Sequence, residues 1–287
     1  MLQPRNSGYS FTYAVVSIIP RNLLSAVTGF IVRLRLPGFL SRFSVGIFAK
    51  AFSLNLDEAE FPMDRYETIE DLFTRRLKPG LRPFSASLGA PADGTFTYSA
   101  PIDKGTALQV KASPYSVQEL VFGKGQAADS FAPAWAMTFY LAPHNYHRVH
   151  SPVSGTLKRV QYIPGDLWPV NEAFVHLVPQ LFVKNERLVF TIALDGGGLV
   201  YAVMVGALNV GRMTTPFLSD FSTNLVGKRT PVSWDMATPV TKGTELGTFM
   251  LGSTVVLIFD RPASDRFRFV QIAKKQPIMV GHPITVL

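Results

Sequence analysis

Phe249-Met-Leu-Gly-Ser-Thr-Val-Val-Leu-Ile-Phe259 reads as one apolar β-strand with Gly252-Ser253-Thr254 set into its middle. A glycine inside a strand marks a bulge or a place where another backbone comes close. A bulge alone is the plain reading, and Gly-Ser-Thr is not the Gly-x-Ser-x-Gly elbow of the hydrolases. Working outward, short strand-like runs between turn residues recur from about Asp93 onward, at 137–141, 155–162, 187–194, 200–205, 246–250 and 254–259. They predict a mostly β body. Residues 214–235 show no clear period and read as a long loop, and no internal repeat is visible. Upstream, 78–94 is rich in Pro, Gly, Ser and Ala and reads as a connector. Residues 68–77 read as a short helix capped by Thr68, with Asp71 in its first turn and Ile69, Leu72, Phe73 and Leu77 on one face.

The chain is 287 residues, 47% hydrophobic and 17% charged, which supplies a large core and excludes a disordered or fibrous protein. It has no cysteine, which removes disulfides, thiolate metal sites and a Cys nucleophile together. The net charge is +8, and its distribution is uneven. Arg5, Arg21, Arg33, Arg35, Arg42 and Lys50 fall within the first fifty residues, where there is no acid; the first carboxylate is Asp57. No nucleic-acid-binding motif accompanies these cations, and they point to an anionic membrane surface instead.

The uncharged runs 6–20 and 22–32 fall short of the roughly 18 residues a spanning helix needs. On a helical wheel Leu23, Leu24, Val27, Phe30, Ile31 and Leu34 form one stripe, with Arg21, Arg33 and Arg35 away from it and Pro37 ending the helix. Such a helix lies in the membrane interface. The alternative is a helix packed on the protein's own core. No small-residue cleavage site follows a compact apolar core, so a secretory signal is not expected. The organisation expected is therefore α+β: N-terminal amphipathic membrane-binding helices over 1–50, then a mostly antiparallel β catalytic domain over 51–287.

Five histidines are present, and three of them, His144, His147 and His150, fall within Leu141-Ala-Pro-His-Asn-Tyr-His-Arg-Val-His150. Such clustering suggests proton-transfer chemistry near neutral pH. The His-Glu-x-x-His spacing of a zinc helix is absent, and on a strand His144 and His150 would face opposite to His147, so no metal is expected. Structural or surface histidines remain the alternative reading. Pro91-Ala-Asp-Gly94 by itself reads as an Asp-Gly turn.

In this order, Pro91-Ala-Asp-Gly94, Tyr146-His-Arg-Val-His150 and Leu251-Gly-Ser-Thr254 resemble the phosphatidylserine decarboxylases. Phe73-Thr-Arg-Arg-Leu77, Tyr162-Ile-Pro-Gly-Asp166 with Val170-Asn171, Asn185-Glu-Arg187, Val205-Gly-Ala207 and Val210-Gly211 agree with that resemblance. It covers about 73–259. His144 stands where a variable residue is expected and receives no role.

The resemblance implies a proenzyme that cuts itself between Gly252 and Ser253 into a β chain, 1–252, and an α chain, 253–287, which stay together as a heterodimer. Ser253 attacks the Gly252 carbonyl, His150 is its base and Asp93 orients His150. Elimination and hydrolysis leave a covalent pyruvoyl group derived from Ser253. This cofactor is implied to form a Schiff base with phosphatidylserine and to act as electron sink while CO2 leaves. His147 is the implied acid that returns a proton before phosphatidylethanolamine is released. The diacyl substrate places the protein peripherally on the cytoplasmic face of the bacterial cell membrane, with the mitochondrial inner membrane as the weaker alternative. Competing readings are a pyruvoyl decarboxylase for another serine-headgroup lipid or a soluble amino acid, a non-catalytic membrane-binding homologue, and a zinc hydrolase built on the three histidines.

Overall fold

The computed structural model describes residues 7–110, 113–126, 131–208, 212–223, 230–250, 253–272 and 275–286. The described N-terminal part is helical: α1 (Ser7–Ile18), α2 (Arg21–Val32), α3 (Gly38–Ala51), a 3-10 turn at Met63–Arg65 and α4 (Ile69–Phe73). The body follows as β1 (Gly94–Pro101), β2 (Thr106–Val110), β3 (Ser113–Ser116), α5 (Val117–Phe122), β4 (Pro133–Leu141), β5 (Arg148–His150) and β6 (Gly155–Ile163). Next come α6 (Glu172–Leu177), α7 (Leu181–Lys184), β7 (Arg187–Ala193), β8 (Leu199–Val205), β9 (Met213–Thr214) and β10 (Val232–Val240). The chain closes with β11 (Glu245–Phe249), β12 (Ser253–Asp260), α8 (Arg261–Ser264) and β13 (Gln276–Ile278).

Eight strands form one antiparallel sheet in the order β10-β6-β7-β8-β12-β4-β1-β13, so the expected α+β, mostly antiparallel class is what folds. β12 lies near the middle, paired with β4 and β8, and every one of its residues is buried. That full burial explains its unbroken apolar run after Thr254, where an exposed strand would alternate. β5, β11 and β9 make a separate small sheet.

Three expectations need correction. The stretch 249–259 is not one strand: Phe249 ends β11 in the small sheet and Ser253 begins β12 in the large one. Ser253 thus stands at the start of a strand in a different sheet from Phe249, whereas Gly252 lies outside the described residues, as does Val210-Gly211. The helix read over 68–77 stops at Phe73. Its capping box is present, Thr68 with Asp71, but the Thr74 hydroxyl donates to the Glu70 carbonyl and the chain then pairs with 58–60 through an Ala59–Leu77 bridge. The loop read over 214–235 contains strand at both ends, β9 and the start of β10. β10 is an exposed edge strand whose pattern depends on its partner β6 rather than on burial.

Arg21 is one residue that fastens α1 and α2 to the body. Arg21 donates to both Asp166 oxygens and lies 3.8 Å above the Trp168 ring, on which Tyr13 also stacks. The predicted apolar stripe faces away from the body: Leu23, Val27, Phe30, Ile31 and Leu34 are exposed, whereas Ser25 and Val32 are buried. α3 repeats this inversion, with Phe39, Phe43 and Ile47 exposed and Ser41, Val45 and Ala49 buried. No helix among the described residues is long and apolar enough to cross a membrane.

Candidate active site

Of the sequence-predicted residues, Ser253 and Asp93 lie at one end of the large sheet, and His147 and His150 lie on the segment that leaves it after β4. Ser253, first in β12, pairs with Leu141, last in β4. β1 borders β4 on its other side, with Thr95 opposite Tyr140, so Asp93 just precedes β1 two strands from Ser253. Gly94 allows that approach: a Cβ there would run into the Tyr140 carbonyl oxygen. From Leu141 the chain turns through Asn145, whose side chain accepts from the Ala142 N–H, and reaches His147 and then β5. The His150 N–H donates to Pro91 O at 2.8 Å, which brings the histidine beside the Pro-Ala-Asp-Gly turn.

The three histidines differ in environment. His144 is exposed. His147 is fully buried, lies against the Phe73 ring at 4.0 Å, and donates through Nδ1 to the Asn145 carbonyl at 2.8 Å. A carbonyl only accepts, so Nδ1 carries the proton and Nε2 presents a lone pair; Nε2 has no hydrogen-bond partner among the described residues. Burial above all pushes this histidine down to about 3. His150 is partly buried. Its Nδ1 donates to Gly243 O at 2.8 Å, so its Nε2 accepts from the Tyr146 hydroxyl at 3.1 Å. Burial holds it below the usual histidine range, partly offset by the Gly243 bond and the nearby Glu245 carboxylate.

Ser253 is fully buried, and its Oγ has no hydrogen-bond partner among the described residues. Asp93 is buried as well, but its oxygens are engaged by Arg82 (2.7 and 3.0 Å) and by the Val280 N–H (2.8 Å). Arg82 spans Asp93 and Glu58. The bonds that orient His150 therefore run to Gly243 and Tyr146, and Asp93 acts on it as a neighbouring charge. A cleft of about 670 Å³ opens on His150 and Tyr146, between walls that include Glu60, Arg76, Lys78, Lys242 and Glu245.

Reading the motifs alone missed Arg82, Gly243 and Tyr146 as partners of the site residues. Tyr146 lies within the Tyr146-His-Arg-Val-His150 motif, whereas nothing local marks Gly243. One other motif, Asn185-Glu-Arg187, proves structural. Asn185 is buried and bonds the Trp168 backbone and the Gly206 carbonyl. Arg187 donates to Glu119 and Leu120 in α5 and to Val183 and Asn185 around the end of α7, so it ties two helix ends together.

Residues 69–285 match the family of the phosphatidylserine decarboxylases, a span that holds the β body with Asp93, His147, His150 and Ser253. The chain belongs to the phosphatidylserine decarboxylase family. Proteins named phosphatidylserine decarboxylase proenzyme are similar along nearly their whole length. That of Myxococcus xanthus is 39% identical over 250 residues, covering 86% of this chain and 88% of the relative. Those of Alcanivorax borkumensis (37%, 84% of each chain) and Shewanella amazonensis (36%, 88% of this chain and 91% of the relative) agree. Family membership identifies the enzyme class as a phosphatidylserine decarboxylase.

Proposed function

We propose that this protein converts phosphatidylserine to phosphatidylethanolamine and CO2 after cutting itself between Gly252 and Ser253. The observation that carries the reading is Ser253 itself: a buried hydroxyl without a hydrogen-bond partner, at the first residue of the central strand, where the chain changes sheets. In the cut, Ser253 Oγ loses its proton to a base and attacks the Gly252 carbonyl carbon, and the acyl group passes from nitrogen to oxygen. Elimination then expels the Gly252 carboxylate, and hydrolysis releases ammonia and leaves a pyruvoyl group at residue 253. The site fits that group, because loss of an unpartnered Oγ breaks no hydrogen bond. Once formed, it supplies the electron sink for decarboxylation.

The chain's own residues divide the remaining work. His150 is assigned as the base for the cut. Gly243 fixes its tautomer and leaves Nε2 as acceptor, so the Tyr146 hydroxyl has to swing aside or relay the proton. Asp93 favours the protonated imidazole by its charge. His147, neutral and bare at Nε2 in the lipid-free protein, takes up a proton in the complex and returns it to the substrate carbon. The anionic headgroup beside it supplies the field that raises its pKa.

Two further parts of the reading have their own support. β12 belongs to the 253–287 piece and sits between β4 and β8 of the 1–252 piece, so the two chains of a cut protein share one sheet and remain a heterodimer. The outward apolar faces of α2 and α3, with the acid-free basic N-terminus, suit a peripheral enzyme on an anionic leaflet, the cytoplasmic face of a bacterial cell membrane. Denaturing intact-mass analysis tests the cut. Two chains are expected, the smaller beginning at residue 253 with a pyruvoyl terminus, and Ser253→Ala should leave one inactive 31.6 kDa chain. Normal cutting of that variant would overturn the assignment.

A further inference from the structure

Arg75 is 4% exposed, yet its Nε and Nη1 have no hydrogen-bond partner among the described residues. Its remaining nitrogen, Nη2, reaches only the His144 carbonyl, at 3.3 Å. Burial of a guanidinium is ordinarily accompanied by a carboxylate in contact and by filled donor positions. Two carboxylates, Glu58 and Asp93, do lie near enough to act on Arg75, but Arg82 holds both. Those charges help a second cation to stay inside without giving its donors acceptors. Desolvation keeps the Arg75 guanidinium below its usual range.

Its location is equally specific. Phe73, two residues earlier, packs on the His147 ring, and Arg148 donates to the Thr74 carbonyl, so the 73–75 segment is clasped to the histidine segment. Arg76 and Leu77, immediately after, line the cleft that holds His150 and Tyr146. Arg75 is not itself in that lining, but it lies within electrostatic reach of Tyr146, which is, and two of its nitrogens are unfilled among the described residues.

We propose that Arg75 is the residue that grips the phosphodiester of the lipid headgroup. The inference rests on the decarboxylase reading and goes beyond it by naming what holds the substrate. A planar fork with free N–H groups suits an oxyanion, and the substrate carries two, a carboxylate and a phosphate. The carboxylate is the wrong partner. Its charge leaves it as CO2 forms, so a guanidinium bound there would stabilise the ground state more than the transition state. The phosphodiester keeps its charge from substrate to product, and a grip on it positions the serine without opposing the chemistry. The Arg75 side chain swings into the cleft when that anion enters.

The test uses the full-length, self-processed enzyme and its Arg75→Met and Arg75→Lys variants, each checked for cutting by mass. Arg75→Met should raise KM for phosphatidylserine in mixed micelles about 30-fold or more, with kcat within about threefold, as expected for loss of a charge-assisted contact kept throughout the reaction. Without lipid, its melting temperature should hold or rise, because an unsatisfied buried charge has been removed. Glycerophosphoethanolamine, which has the phosphodiester and no carboxylate, should inhibit competitively and stabilise the wild type but not Arg75→Met. Free serine and inorganic phosphate at the same concentration should do neither. An unchanged KM with a lowered melting temperature would make Arg75 structural and refute the proposal. Protection by serine, or by inorganic phosphate alone, would refute it too. If Arg75→Met does not fold, Arg75→Lys decides: it keeps the charge without the fork and should still raise KM, and an unaltered KM overturns the assignment. A wild type that is uncut and inactive would instead sink the decarboxylase reading itself.

Discussion

His147 should make the uncut protein sensitive to mild acid, by an amount that its environment sets. In the folded chain its pKa lies at about 3, against an ordinary histidine value of 6.5, because the ring is fully buried with Nε2 lacking a partner. A depressed folded pKa means that the unfolded chain binds the proton first. The stability this histidine contributes is complete above pH 6.5 and is lost as pH falls toward 3. Each pH unit inside that window costs about 1.4 kcal/mol, so the step from pH 7 to pH 5 costs about 2 kcal/mol from this residue. For a chain of this size that corresponds to a fall in melting temperature of about 4–8 °C. The comparison is Ser253→Ala, which removes the nucleophile, against Ser253→Ala/His147→Asn, with melting followed by circular dichroism at both pH values. Asparagine keeps a donor for the Asn145 carbonyl and does not titrate. The double variant starts less stable, having lost packing on Phe73, but should lose about 2 kcal/mol less between the two pH values. His150 and the carboxylates titrate in both proteins and cancel. Equal acid losses in the two would show that His147 is not held neutral, and the tautomer argument would fail with it.

Three further perturbations test other parts of the structure. Replacing Phe39 and Phe43, both exposed on α3, with Glu should cut co-sedimentation with anionic vesicles at least about tenfold, since each ring forfeits roughly 1.5–3 kcal/mol of apolar burial. Unchanged sedimentation would remove α3 from the membrane face. Arg21→Met breaks the Asp166 pair and the Trp168 stacking, a loss of about 1–3 kcal/mol; it should speed hydrogen exchange in α1 and α2 and leave the β body unaffected. Gly94→Ala sets a methyl group against the Tyr140 carbonyl. It should destabilise the fold by about 3 kcal/mol or more and slow the cut, because β1 and β4 would have to separate beside Asp93.

What was legible in the sequence was what short-range forces decide. The capping box joins Thr68 to Asp71, three residues apart, and a cap of that kind forms from local geometry alone. β12 and β8 announced themselves because strands buried on both faces need unbroken apolar runs. The outward stripe of α2 was readable as a stripe, but not its direction: Leu23 and Phe30 form the same pattern facing a core or facing lipid. The site divided along the same line. Ser253, His147, His150 and Asp93 could be named as candidates because their residue types and order carry the resemblance, whereas their bonding partners could not be read. Gly243 meets His150 across 93 residues of chain, and Arg82 meets Asp93 only after the connector folds back. The split of 249–259 between two sheets, and the unfilled donors of Arg75, likewise exist only once distant strands have paired. Side-chain chemistry is a property of the residue and can be read from the chain. Burial, tautomer and the choice of hydrogen-bond partner are properties of the neighbours, and long-range packing alone supplies those.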